Sequence, residues 1–235
     1  MEENDLSLEQ RLKNVCDFYA LTHRLKNLIR SGWKRWNVQA ERLESVAEHI
    51  YGTQMLAFAV NSEFNLGIDI EKVILMLAFH ELGEISVGDI AFIDGVSKED
   101  KHRRELSAVL QILEPLSDKN RIIDLFNEFE ERKTKEAQFA YLMDKIECDL
   151  QCKCYEENGN VSLDTEQKGV SESIRQDALE KGVKTFSEMW VGYEREKNVY
   201  RSSQLAKDIT DYILSNKVFE KESDGKSDDK NGKNL

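Results

Sequence analysis

The chain has 235 residues, enough for one domain with a full hydrophobic core and short for two. A single proline (Pro115), 12 glycines and 33% charged residues suit a helical protein better than a β-sandwich or barrel. The formal net charge of −12 weighs against broad binding to nucleic-acid polymers or anionic membranes, which need a positive surface, but leaves room for a small phosphorylated ligand in a local basic pocket.

The start, MEENDLSLEQ, is acidic and polar, unlike a secretory signal or a mitochondrial presequence, and no run is long and apolar enough to span a bilayer. The expected compartment is therefore the cytoplasm, with free thiols at Cys16, Cys148, Cys152 and Cys154. No CxxC pair is present, and Cys148 and Cys152 stand at ordinary helical i,i+4 spacing, a poor basis for a zinc site.

Apolar periodicity predicts consecutive amphipathic helices joined by short polar breaks. A first helix over Leu8–Ile29 places Leu12, Val15, Phe18 and Tyr19 on one face, and Arg30-Ser-Gly-Trp33 breaks it ahead of a connecting loop to Glu44. Ser45 and Glu48 fit a capping box for a second helix, which carries Met55, Leu56 and Ala59 to about Asn61. A third, over Ile70–Ile85, is apolar nearly all round from Val73 to Phe79, the pattern of a central buried helix. Beyond a loop marked by Gly88, Asp94 and Gly95, Ser97 can cap a fourth helix to Glu114, with Leu106, Val109, Leu110 and Leu113 inward. Further helices are predicted over Asp118–Glu131, Thr134–Glu157, Glu166–Glu194 and Ser203–Phe219. The division that follows is a core over residues 1–157, a helical extension over 158–220 packing on it, and a polar tail over 221–235 that lacks the residues to fold.

Chemistry is suggested where polar residues interrupt apolar faces. His80, Glu81 and Glu84 close the most hydrophobic helix, His80 and Glu84 sharing a face with Glu81 about 100° around. Burying neighbouring carboxylates is costly, and a cation would relieve that cost; the alternative is a helix end that emerges into solvent. His49 lies near the start of the second helix, where a hydrogen-bonded core histidine is the rival reading. Asp144 shares a stripe with Ala137, Tyr141 and Cys148, so it points inward, to a cation or to a buried salt bridge. Two histidines and two carboxylates from three helices form a sensible set for one divalent cation such as Mn²⁺, Co²⁺, Mg²⁺ or Zn²⁺.

The order His…His-acid…Asp, together with Glu44-Ser-Val-Ala-Glu-His49, Val87-Gly-Asp-Ile90, Ser97-Lys-Glu-Asp-Lys-His-Arg-Arg-Glu105 and Asp144-Lys-Ile-Glu147, resembles the HD-domain phosphohydrolases, in particular their small 5'-deoxynucleotidase branch, over roughly residues 10–157. The resemblance implies an all-α HD-domain helical bundle with a central metal site, and hydrolysis of nucleoside or deoxynucleoside 5'-monophosphates, with a homodimer as the expected assembly. It assigns His49, His80 and Asp144 to the metal by direct match, with Glu81 at the place of the remaining ligand, Glu84 and Asp89 to the nucleophilic water and the substrate, and Arg30 to the phosphate; Trp33, close by in sequence, is expected to wall the pocket. This sequence departs from the family at Glu81, where the family has aspartate directly after the second histidine. Glutamate reaches one methylene further, roughly 1.5 Å. It can coordinate after a small rearrangement of the helix end, or leave a site that binds without turnover, which makes a nucleotide or metal sensor the rival function.

Two other readings fall on the residues. In His80-Glu-Leu-Gly-Glu84 the second ligand position of a zinc-protease HExxH helix is Glu84, not histidine. A two-metal site would want further histidines before Asp144; only His102 is available, within a charged run that reads as a solvated helix face.

Overall fold

The computed structural model describes residues 6–89, 98–197 and 203–219, and the fold is all-α. The expected tail over 221–235 and the capping role of Ser97 lie outside the described residues.

Three helices set the frame. α3 (Val46–Phe64, numbering the helices in chain order) starts at a complete capping box: Ser45 Oγ accepts the Glu48 amide, and the Glu48 carboxylate accepts the Ser45 amide at 2.8 Å. It stops at Asn65, in the left-handed region. α4 (Ile70–Phe79) is capped by Asp69, whose side chain accepts the Lys72 amide. α8 (Lys135–Glu157) is capped by Thr134 and runs for 23 residues. These three pack on one another pairwise. Around them stand α1 (Leu8–Thr22), which leads into a 3-10 turn over His23–Lys26, and the short α2 (Ser31–Arg35) and α5 (Glu84–Val87). α6 (Lys98–Leu113) and α7 (Lys119–Glu131) complete this part; α9 (Val170–Glu180), α10 (Phe186–Lys197) and α11 (Gln204–Ser215) follow.

Two apolar clusters result. The larger joins α3, α4, α6, α7, α8 and α11 through residues such as Ala57, Leu77, Val109, Phe126, Ile146 and Ile213. The smaller gathers Trp33, Trp36, Tyr155, Ala178, Phe186 and Met189 around the far end of α8.

Several expectations are corrected. The third helix does not run on to Ile85: it ends at Phe79, turns over residues 80–83 and resumes as α5. The cause is tertiary. A Cβ on Gly83 would stand 2.9 Å from the Glu105 Cα, so the α6 backbone lies directly against this turn. The face of α1 carrying Leu12, Val15 and Tyr19 is exposed, and Phe18 alone of that set is half-buried against the larger cluster. On α3 the inward stripe is Val46, His49, Thr53, Ala57 and Val60; Met55 and Ala59 face solvent and Leu56 is half-buried. Leu110 of α6 is likewise exposed. The predicted helix over Glu166–Glu194 is two, α9 and α10, parted at Gly182 with a φ of 77°. No described helix is long and apolar enough to cross a membrane.

Candidate metal centre

His49 comes from the first turns of α3, His80 and Glu81 from the turn that ends α4, and Asp144 from the middle of α8. Each contributes one donor atom to a group whose atoms lie within 4.8 Å of one another. Glu81 belongs to a turn, not to the body of a helix, and its carboxylate reaches the group despite the extra methylene.

The hydrogen bonding of the two histidines decides what the group can hold. His80 Nδ1 lies 2.7 Å from the Leu77 carbonyl oxygen, so Nδ1 carries the proton and donates it there. That leaves Nε2 with a lone pair. It is buried without a hydrogen-bond partner, 3.6 Å from Glu81 Oε1 and 3.9 Å from Asp144 Oδ1. His49 Nδ1 lies 2.5 Å from Glu147 Oε2, and its Nε2 lies 3.1 Å from Asp144 Oδ1 and 3.9 Å from Glu81 Oε1. Lone pairs therefore converge on a common point, an arrangement that a cation stabilises and that water-free burial otherwise penalises. The donor set of two imidazole nitrogens and two carboxylates fits a divalent ion.

Protonation in the absence of a cation tells the same story. Burial and the Arg30 charge oppose a proton on His49, yet Glu147 and Asp144 outweigh them and push its pKa up to about 9. Burial lowers that of His80. For Asp144 burial works the other way, but Lys145 and His49 hold the carboxyl well below its ordinary range. A proton on His49 thus occupies the place a cation would take.

Glu84 is buried at 1% exposure beside this group, and its Oε2 has no hydrogen-bond partner. Burial, then the charges of Glu81 and Asp89, push its carboxyl well up. Asp89 accepts the Ser31 amide at the start of α2. Arg30 is held by an antiparallel bridge between Ile29 and Ser45, its own amide donating to the Glu44 carbonyl at 3.0 Å. Its guanidinium donates to Glu81 Oε1 at 3.1 Å and to Cys148 Sγ at 3.3 Å. Trp33 is placed differently from the others: it is buried in the smaller cluster, stacked on Trp190, and its indole N–H donates to Glu44 at 2.7 Å. At 2% exposure it presents no open face to a ligand.

Four residues with no sequence-based assignment join the site. Glu147, inside the quoted Asp144-Lys-Ile-Glu motif, holds His49. Lys145 Nζ lies 2.8 Å from Asp144 Oδ2. Lys101 and Glu105, paired at 3.4 Å, turn inward from the charged run of α6, which is therefore only partly a solvated face. The i,i+4 spacing of Lys101 and Glu105 was visible, but charges on every side of that run hid which pair faced in.

The chain is similar to known proteins in both sequence and fold. The family model described as HD domain matches residues 22–185. The chain is 35% identical over 152 residues to 5'-deoxynucleotidase HDDC2 of Dictyostelium discoideum, covering 62% of this chain and 79% of that protein. It is 33% identical over 175 residues to 5'-deoxynucleotidase hdd1 of Schizosaccharomyces pombe, covering 72% and 86%. Among solved structures, the PH0347 protein of Pyrococcus horikoshii superposes with a TM-score of 0.59 at 25% identity, covering 85% of this chain and 96% of that one. A protein of Magnetospirillum magnetotacticum, titled a predicted metal-dependent phosphohydrolase, gives 0.53 at 27% identity, covering 64% and 74%. With matching sequence, matching fold and a buried donor set that calls for a cation, the chain belongs to the HD-domain family as one of its metal-dependent phosphohydrolases.

Proposed function

We propose that the chain hydrolyses the phosphomonoester of nucleoside or deoxynucleoside 5'-monophosphates, using one divalent cation held by His49, His80, Glu81 and Asp144. The observation that carries the ligand set is the partnerless Nε2 of His80, fixed as an acceptor by the Leu77 carbonyl and aimed at two carboxylates. Nucleotide chemistry is supported by the names of the relatives, which are 5'-deoxynucleotidases.

A bound divalent ion supplies Lewis-acid polarisation and charge neutralisation at the phosphoryl group. The remaining work falls to the chain itself. Glu84, its Oε2 without a partner, orients the attacking water and, once a cation's charge beside it favours the ionised carboxylate, takes its proton as the new P–O bond forms. Arg30 adds positive charge at the phosphate, and the Glu81 contact keeps its guanidinium at the site. Asp89, anchored by Ser31, binds the sugar or passes a proton to the leaving 5'-oxygen as the P–O bond breaks.

The decisive experiment is phosphate release from a panel of nucleoside and deoxynucleoside 5'-monophosphates. Metal-stripped protein would be resupplied with Mn²⁺, Co²⁺, Zn²⁺ or Mg²⁺, with Asp144→Ala and Glu81→Asp run in parallel. Metal-dependent release lost in Asp144→Ala is the expected result. Silence in wild type with release restored by Glu81→Asp would replace turnover by sensing. The proposed assembly is a pair of identical chains. α1 offers them an apolar stripe of Leu8, Leu12, Val15 and Tyr19, all exposed, and a monomer in sedimentation equilibrium would remove that part of the reading.

A further inference from the structure

Glu147 lies on α8 three residues beyond Asp144, and the two carboxylates take opposite nitrogens of the same ring: Glu147 Oε2 meets His49 Nδ1 at 2.5 Å, Asp144 Oδ1 meets Nε2 at 3.1 Å. His49 is fully buried and Glu147 nearly so. The helix that carries His49 has a glycine at position 52, three residues on from the histidine and well inside α3. Glycine is a poor choice in a helix interior, since it lacks a side chain to pack and has the most backbone freedom to lose. Here its use is visible. A Cβ at residue 52 would stand 2.6 Å from Glu147 Oε1 and 3.1 Å from its Cγ. The Glu147 carboxylate occupies the space that any other residue at 52 would fill.

We infer that Gly52 and Glu147 are a matched pair that positions His49, fixing its ring and its tautomer so that Nε2 presents a lone pair to the cation. The inference rests on the reading of His49 as a ligand given under Proposed function. Glu147 is a positioning residue: it touches neither substrate nor the reacting atoms, and acts through the proton on Nδ1. His49, Glu147 and Cys148 also stand close enough to suggest a second ion. Two features argue against one. Burial pushes the Cys148 thiol well up, so it stays protonated, and its sulfur lies 3.3 Å from the Arg30 guanidinium.

The test is a calorimetric titration of Mn²⁺ into the metal-stripped full chain, with thermal melting of the metal-free protein alongside. Wild type, Glu147→Gln, Gly52→Ala, the double variant and His49→Ala are compared. Wild type should bind one ion, and Glu147→Gln and Gly52→Ala should each weaken binding by about 10–100-fold, the usual effect of losing a partner behind a histidine ligand. The double variant should bind no more weakly than the poorer single one, because both changes act on the same carboxylate. Metal-free Gly52→Ala should still unfold cooperatively as a folded chain, alanine's preference for the helix offsetting part of the lost contact between Glu147 and His49. That variant keeps the test alive if Glu147→Gln fails to fold. Unchanged affinity in both single variants, additive losses in the double one, or two ions per wild-type chain would overturn the pairing. If His49→Ala binds Mn²⁺ like wild type, the ligand set falls as well. If His49→Ala loses the ion while Glu147→Gln keeps it, only the pairing falls.

Discussion

The two apolar clusters differ in how they are built. The larger is made of helix faces: α3, α4 and α8 meet through aliphatic stripes at helical spacing, and the neighbouring helices extend the same pattern. The smaller is aromatic and discontinuous. Trp33 and Trp36 from a short helix meet Tyr155 at the end of α8 and Phe186, Met189 and Trp190 from α10, with ring centroids 5.2–5.9 Å apart. The polar centre sits between them, with Asp144 beside residues of the larger cluster and Glu44 tied to Trp33 and Tyr155 of the smaller. One region joins the helices that carry His49 and Asp144, and the other braces the segment that carries Arg30 and Glu44. The donor set and its aromatic brace are thus assigned to different parts of the molecule.

That assignment can be broken at three points. The largest effect belongs to Asp144→Ala, which should lower metal-dependent phosphate release by more than about 100-fold, beyond the usual cost of losing a supporting partner. It should also abolish the rise in melting temperature that an ion confers, which for wild type at a hundredfold excess over Kd reflects a stabilisation of about 2.7 kcal/mol. An unchanged metal-induced rise would move the cation elsewhere. Next is Trp36→Ala. Its ring packs on Phe186 and Trp190 at 6% exposure, and truncation should cost about 3–5 kcal/mol in urea unfolding while the folded variant still binds the ion. Loss of metal affinity without loss of stability would invert the comparison.

The smallest effect concerns Glu105, paired with Lys101 on α6. Burial pushes its carboxyl from 4.5 up to about 7, against the opposing pull of Lys101. A raised folded-state pKa means that the folded chain holds the proton longer than the unfolded one. Its contribution is therefore fully present below pH 4.5 and is lost as pH climbs to about 7. Glu105→Gln does not titrate, so wild type should lose stability relative to it across that window, by at most roughly 3 kcal/mol. Urea midpoints of the pair at several pH values check this, and a constant difference would show the carboxyl to be solvated.

What could be read in the sequence was local or strongly periodic. The Ser45–Glu48 capping box needs only four residues, and both its reciprocal bonds are present. The apolar run of α4 could only be buried, and the polar residues closing it had to be explained. What escaped depends on partners far along the chain. The break over 80–83 comes from α6 crossing at Gly83, which nothing within Leu77–Glu84 announces. Glu147 belongs to a recognisable motif, but its role depends on a histidine 98 residues away. Met55 and Leu110 sit at the edges of apolar stripes, where a small rotation of the helix decides between core and solvent.

His49 and Asp144 are 95 residues apart, and that separation bears on how the chain acquires its ion. No short fragment contains both, so the donor set comes into being only when α3 and α8 dock and the intervening loop is closed, a step whose entropy cost grows with loop length. If that docking follows the rate-limiting barrier, an ion adds stability only after it. Added metal should then leave the refolding rate almost unchanged and slow unfolding in proportion to its affinity. The cation would act as a latch on the finished bundle, not as a template for building it.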